Sequence, residues 1–397
     1  MEFGTRQRYR GGHAMNAATI AISEGDSSLT AAALKRLQAL WGAIYGVPCP
    51  PRAHTLVSTM LEPWGSQSIL RQPAWRSDIG DDHSPFEFSL VHTSGTIDLR
   101  FLVEAQGGSD WASMRAAGLR LNDKLQAMGA DLRRFHLVEE LFLPQVAELR
   151  SELDFALWHT ITLWSDPPRV KCYFYPRVRG SEQSNRLVRI ALERLGLSFA
   201  WSTVEAIFAR FPSVKVRLLC LDLEETAAAR FKVYVDPNGA TLEDLEWIAQ
   251  WSPAYVRGEI SDFCRAITGS EGPYWLGQQV TRLPMFYLAF TRNDPTPSDV
   301  TLQLPVRFYV PDDAVATARI AEYMRSRRVD SAAYERAVRA VAYRPLRAGA
   351  GLNAWVSLRT GTDPAFITVY LSAELYHVSP IRTHLLEQGQ SRASSSV

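Results

Sequence analysis

Two hydrophobic periods take turns along the chain. In one, apolar and polar residues alternate in short runs that come in pairs. Each pair is joined by a turn containing Gly, Pro, Asp or Ser, which is the signature of a β-hairpin. Five pairs occur: Phe86–His92 with Thr96–Ala105, Phe155–Trp164 with Arg169–Val178, Val214–Leu223 with Ala229–Val235, Met285–Arg292 with Val300–Val310, and Leu352–Thr360 with Ala365–Ser372. Between pairs, apolar residues fall three and four apart, and this spacing predicts helices. The helical stretches are Trp111–Met128, Leu132–Arg150, Glu182–Leu195, Trp201–Phe211, Thr241–Trp251, Val256–Thr268, Asp312–Arg327 and Asp330–Tyr343, with Thr241 as an N-cap. The unit of hairpin, helix and helix recurs about every 60–70 residues.

This repeat limits the architecture. Ten antiparallel strands in one open sheet would leave two bare edges, and closing the sheet into a barrel removes both. The helices then form an outer ring over the outward strand faces. The expected fold is α+β, a single ten-stranded barrel domain spanning residues 15–387. A barrel of that width is not filled by its own side chains, so a ligand cavity is expected inside. The rival arrangement is a pair of separate α+β domains.

Composition narrows the function. A formal net charge of +1 gives no global field for nucleic acid or for an anionic membrane, so any anion site must be local. No apolar run approaches the length of a membrane span. The cysteines Cys49, Cys172, Cys220 and Cys264 lie far apart, which argues against a zinc site or a disulfide framework and fits a reduced, cytoplasmic setting. Residues Met1–Ala14 read as an expression leader before a second methionine, Met15, and the Ser-rich Gln388–Val397 as a flexible tail.

The chemistry gathers on the second strand of each hairpin. One parity carries Asp98 and Arg100, then Lys171, Tyr173 and Tyr175, then Arg230, Lys232 and Tyr234, then Gln303, Arg307 and Tyr309, then Thr368 and Tyr370. A polar face on one strand is ordinarily a solvent face. Here the outward face should be covered by helices, so the cations point into the lumen. Buried like charges are costly unless an anion neutralises them. Arg100, Lys171, Arg230, Lys232 and Arg307 suit a diphosphate, and Tyr173, Tyr234, Tyr309 and Tyr370 suit an adjacent carbocation, which aromatic faces stabilise. Neither Asp81–Asp82 nor Asp222–Glu225 has the DDxxD spacing of metal-dependent prenyl synthases, so side-chain cations replace a metal and Mg²⁺ is not required.

The segments DDHSPFEFSLV (81–91), KCYFYP (171–176), ARFKVYV (229–235), PVRFYVP (305–311) and ITVYLS (367–372) resemble the dimethylallyltryptophan synthase family of indole prenyltransferases, and bacterial members in particular. The resemblance implies the ABBA barrel and transfer of a dimethylallyl group from its diphosphate to tryptophan or a tryptophan-derived indole. It implies no cofactor, and no nucleic-acid or membrane partner. It implies that Glu87 accepts the indole N–H, and it matches Arg100, Lys171, Arg230, Lys232 and the four tyrosines to the family's diphosphate and shield positions, whereas Arg307 stands where fungal members usually have a neutral amide. Fungal members carry a lysine base on the first strand of the second hairpin. FALWHTITLW has none, which leaves two readings: His159 as the base, or Trp158 reshaping the pocket. The alternatives are geranyl diphosphate or a phenolic acceptor on the same fold, or a barrel that only carries an isoprenoid or phosphate ligand.

Overall fold

The computed structural model describes residues 27–93, 95–145, 155–212, 214–277 and 280–376. The leader and tail ranges lie outside the described residues. Ten strands follow in chain order: β1 (Phe86–Thr93), β2 (Thr96–Glu104), β3 (Leu157–Thr162), β4 (Val170–Phe174), β5 (Val216–Asp222), β6 (Phe231–Val235), β7 (Met285–Phe290), β8 (Asp299–Leu304), β9 (Asn353–Arg359) and β10 (Phe366–Ser372). They form one closed barrel in which each strand pairs with its sequence neighbours and β1 pairs with β10. That closing ladder runs antiparallel from Glu87↔Ser372 to His92↔Ile367, so no strand edge is left bare.

Helices surround it: α1 (Leu29–Tyr45), α2 (Pro51–Leu61), α3 (Trp111–Ala127), α4 (Arg133–His136), α5 (Glu139–Phe142), α6 (Ser181–Arg194), α7 (Ala200–Arg210), α8 (Leu242–Ala249), α9 (Glu259–Thr268), α10 (Asp313–Ser326) and α11 (Ala332–Val341). Their starts are locally encoded. Thr241 and Asp244 form a capping box on α8, and Asp110 and Asp312 cap α3 and α10. The alternate strand residues that face these helices, such as Phe101, Val103, Phe174, Leu219, Val233, Leu288, Val356 and Val369, are fully buried. Removing that apolar surface from water, at about 25 cal/mol per Å², holds the ring on the barrel. No helix among the described residues is long and apolar enough to cross a membrane.

Three local features differ from the sequence expectation. Helices α1 and α2 precede the first hairpin, and α1 packs on α11, so the helical ring closes where the sheet closes. The stretch expected as one helix from Leu132 yields only the short α4 and α5 within its described part. Strand β8 stops at Leu304, because Pro305 has no N–H to give the ladder, and the chain turns into a 3₁₀ segment at Val306–Phe308. The seam itself is stitched by Asp82, which accepts from the Ser84 and Tyr376 N–H groups and from the Ser84 hydroxyl. Ser84 Oγ in turn accepts the Leu375 N–H.

Candidate active site

Alternation along each strand sends one residue in two into the lumen. The ladders sort those residues into levels. Lys171 lies between Thr160 and Asp222, and Cys220 between Tyr173 and Lys232, with Arg100 opposite Ser89 and Thr162. The next level holds Trp158, Tyr173, Tyr234 and Tyr287. Beyond it come Glu87, paired with Leu102 and Ser372, and Met285, paired with Gln303. A cavity of about 260 Å³ occupies the upper two levels, walled by Glu87, Leu102, Trp158, Tyr173, Leu218, Tyr234, Gln303, Trp355 and Tyr370.

The deep level is a cradle of cations. Arg230 Nε donates to Asp222 Oδ2 at 2.9 Å, and its Nη1 lies 3.7 Å from Asp299 Oδ2. Lys171 Nζ is 4.0 Å from Asp222, and Arg359 Nε is 3.6 Å from Asp299. Burial lowers the pKa of the Lys171 ammonium, and Lys232, Arg100 and Arg230 push it the same way. For Asp222, burial alone would raise the carboxyl, but Lys171, Arg230 and Lys232 overcome it and hold it well below the usual carboxylate range. Arg100, Lys171, Arg230, Lys232 and Arg359 outnumber Asp222 and Asp299, even with Asp98 further out on β2. Among the described residues, the buried Nε donors of Arg100 and Arg359 have no hydrogen-bond acceptor. Buried donors in that state are expected where a ligand supplies the acceptors.

Above the cradle the wall is aromatic. Ring centroids run from Trp158 to Tyr173 (6.3 Å), to Tyr234 (6.3 Å) and to Tyr287 (5.2 Å). Lys232 Nζ sits 4.0 Å over the Tyr287 ring. Tyr370 accepts a hydrogen bond from Gln303 Nε2 at 3.1 Å, across β9 from its own strand. Burial raises the Tyr173, Tyr234 and Tyr370 phenols, so they keep their protons and can donate to an anion.

At the far end, Glu87 is 6% exposed. Burial pushes its carboxyl up to about 8, against the pull of Arg307 and Arg282. A second interior carboxyl, Glu104, is also pushed up to about 8 by burial, and it accepts the Ala156 N–H at 3.3 Å. The mouth carries charges of both signs. Asp78 bridges Arg217 (2.8 Å) and Arg282 (2.8 Å), and Arg307 donates to Asp81 at 2.6 Å.

The model of the family described as tryptophan dimethylallyltransferase matches residues 53–337. The chain belongs to the tryptophan dimethylallyltransferase family. Solved structures agree. The 6-dimethylallyltryptophan synthase of Micromonospora olivasterospora, in complex with DMASPP and Trp, superposes with a TM-score of 0.79 at 30% identity, over 89% of this chain and 99% of that one. Prenyltransferase PriB, in a ternary complex with L-tryptophan and dimethylallyl thiolodiphosphate, gives 0.78 at 31%, over 89% and 98%. The 5-dimethylallyl tryptophan synthase of Streptomyces coelicolor, with DMASPP and Trp, gives 0.77 at 29%, over 89% and 98%. The protein is therefore a prenyltransferase with the ABBA barrel.

In this prenyltransferase the structure brings Glu87, Arg100, Lys171, Tyr173, Arg230, Lys232, Tyr234 and Tyr370 into one lumen. Three residues fall elsewhere. His159 has the opposite parity to Trp158. It faces α3, its Nε2 lies 2.8 Å from Asn122 Oδ1, and burial lowers it to about 3. Arg307 and Tyr309 lie past Pro305, so strand alternation no longer places them. Arg307 joins Asp81, Arg282 and Glu87 at the mouth rather than the cradle, and Tyr309 packs edge-on against Tyr274 at 5.7 Å. Tyr287 and Arg359 were missed because only the second strand of each hairpin was read. The same alternation applied to MFYLAFTR and LNAWVSLRT exposes both. Among the described residues, no group of three His, Cys, Asp or Glu is placed to hold a metal ion.

Proposed function

We propose that this prenyltransferase transfers a dimethylallyl group from dimethylallyl diphosphate to the indole ring of tryptophan or a tryptophan-derived metabolite, without a metal. The observation that carries the reading is a single lumen with a surplus of cations at one end, a buried carboxyl at the other and tyrosine faces between them. The cradle of Arg100, Lys171, Arg230, Lys232 and Arg359 takes the diphosphate and supplies the charge that a metal would otherwise bring. The allylic C–O bond breaks, and the pair of electrons leaves with the diphosphate. Tyr173, Tyr234, Tyr287 and Tyr370 shield the cation from water and stabilise it through their π faces.

Glu87 accepts the indole N–H, which orients the ring and raises its electron density as the new C–C bond forms. With His159 turned outward, the Glu87 carboxylate and the departing diphosphate are the acceptors for the ring proton that flank the reacting centre. Trp158 and Trp355 shape the acceptor wall and so bear on which ring atom meets the cation. The three solved relatives support the pairing of substrates, since each was solved with tryptophan and a dimethylallyl diphosphate analogue or DMASPP. Incubation with L-tryptophan and dimethylallyl diphosphate in EDTA, followed by mass spectrometry, tests it. A product heavier by one C5H8 unit is expected. Turnover that appears only when Mg²⁺ is restored would refute metal independence, and no turnover with any indole would refute the acceptor class.

A further inference from the structure

The cradle is not simply a set of cations waiting for an anion. One carboxylate holds two of them in place. Asp222 Oδ2 accepts from Arg230 Nε at 2.9 Å and also from the Arg230 backbone N–H at 3.2 Å. Its Oδ1 lies 4.0 Å from Lys171 Nζ. Asp222 and Lys171 are both nearly fully buried, and they face each other directly across the β4–β5 ladder. An arginine at the end of a strand would otherwise sample many rotamers, and a lysine buried among cations would shed its proton.

We propose that Asp222 is a positioning residue for prenyl transfer: it aims Arg230 and balances Lys171 until the donor binds, and it yields both to the donor's diphosphate. The proposal rests on the cradle being the diphosphate site. The charged or titratable groups around Lys171 are Arg100 on β2, Tyr173 on β4, Cys220 and Asp222 on β5, Lys232 on β6 with Arg230 just before it, and Asp299 on β8 further off. β3 presents Thr160, which does not titrate. Among the described residues, Asp222 is the carboxylate within 4.0 Å of the ammonium. Without it the neighbours are dominated by cations, and Lys171 loses its proton at lower pH.

The consequence has a sign that a merely structural role lacks. In Asp222→Asn the cradle has one negative charge fewer, so at pH 6–7 it should bind inorganic diphosphate at least as tightly as the native enzyme. As pH rises, Lys171 deprotonates earlier than it does beside the carboxylate, so affinity should fall severalfold below native on the alkaline side. Comparing variants at the same pH cancels the ionisation of diphosphate itself. Calorimetric titration of inorganic diphosphate from pH 6 to 10 reads this directly. Asp222→Glu should restore the native profile, and Lys171→Arg, which cannot deprotonate, should remove the alkaline fall. A loss in Asp222→Asn of the same factor at every pH would overturn the proposal. If Asp222→Asn does not fold, an unchanged alkaline fall in Lys171→Arg would overturn it on its own. Failure of the underlying reading looks different: Lys171→Ala and Arg230→Ala would both bind diphosphate as the native enzyme does.

Discussion

Glu87 offers the sharpest test, because burial makes it act on stability and turnover in opposite directions. Its carboxyl sits near 4.5 when the chain is unfolded and near 8 in the barrel. A pKa raised by folding means the folded state binds the proton more tightly. The stability this lends is fully present below about pH 4.5, and it is lost as pH rises through 8. Each unit of separation corresponds to about 1.4 kcal/mol, so ionised Glu87 costs the fold about 3 kcal/mol at pH 7 and nearly 5 kcal/mol above pH 8. Glu87→Gln keeps the shape and cannot ionise. It should therefore unfold at higher urea than the native enzyme, by a margin that grows between pH 5 and 8.

Turnover should run the other way. A carboxylate accepts the indole N–H and the neutral acid does not do so as well. At pH 7 only about a tenth of the free enzyme carries the ionised form, so kcat/KM for the acceptor should rise about tenfold from pH 7 to pH 9. Glu87→Gln should lose that acid limb and about 10²–10⁴ of the rate. Glu104 has a similarly raised carboxyl, so Glu104→Gln is the control and should keep the limb. A limb that survives in Glu87→Gln and disappears in Glu104→Gln would refute the assignment. A stability difference independent of pH would refute the electrostatic reasoning beneath it.

Other outcomes follow from the same geometry. His159→Ala breaks a buried contact with Asn122 outside the lumen, so it should cost about 1–3 kcal/mol in urea unfolding and leave the regiochemistry of the product unchanged. Tyr287→Leu removes a π face beside the cation, worth about 1–2 kcal/mol, so product formation should drop about 5–30-fold while dimethylallyl alcohol rises; Tyr287→Phe should retain most of the coupling. Trp158→Phe alters the acceptor wall without touching the cradle, and product analysis by NMR should show a changed ratio of ring positions at a nearly unchanged KM for the donor.

Much of the architecture was legible because the barrel repeats one simple rule. Strand period two, helical period near 3.6 and turn residues between them mark every hairpin and most helices. The rule places a residue only while the ladder continues. Pro305 ends β8 four residues after Thr301, and beyond it parity says nothing, so Arg307 and Tyr309 were placed in the wrong company. His159 shows the complementary limit. Parity of β3 was available from Lys171 and Tyr173 through the hairpin register, yet the chemistry of imidazole pulled the reading toward catalysis. The register Trp158↔Tyr173 settles the matter, with Trp158 inside and His159 against α3. The carboxylates Asp222 and Asp299 were passed over for a different reason: a search for an anion site counts cations, and it does not see the acids that keep those cations charged.

The two ends of the lumen obey one electrostatic logic. Burial drives each toward neutrality before substrates bind, since Glu87 gains a proton and Lys171 tends to lose one. In the proposed reaction each substrate reverses this at the place where it binds. The diphosphate, arriving among Lys171, Arg230 and Lys232, favours the ammonium. An N–H donor placed against Glu87 favours the carboxylate. The pairing that ionises the allylic bond and activates the ring is then complete only when both substrates are present. A barrel holding the donor alone keeps Glu87 mostly neutral, and a neutral carboxylic acid beside an allylic cation is a poorer trap for it than a carboxylate would be.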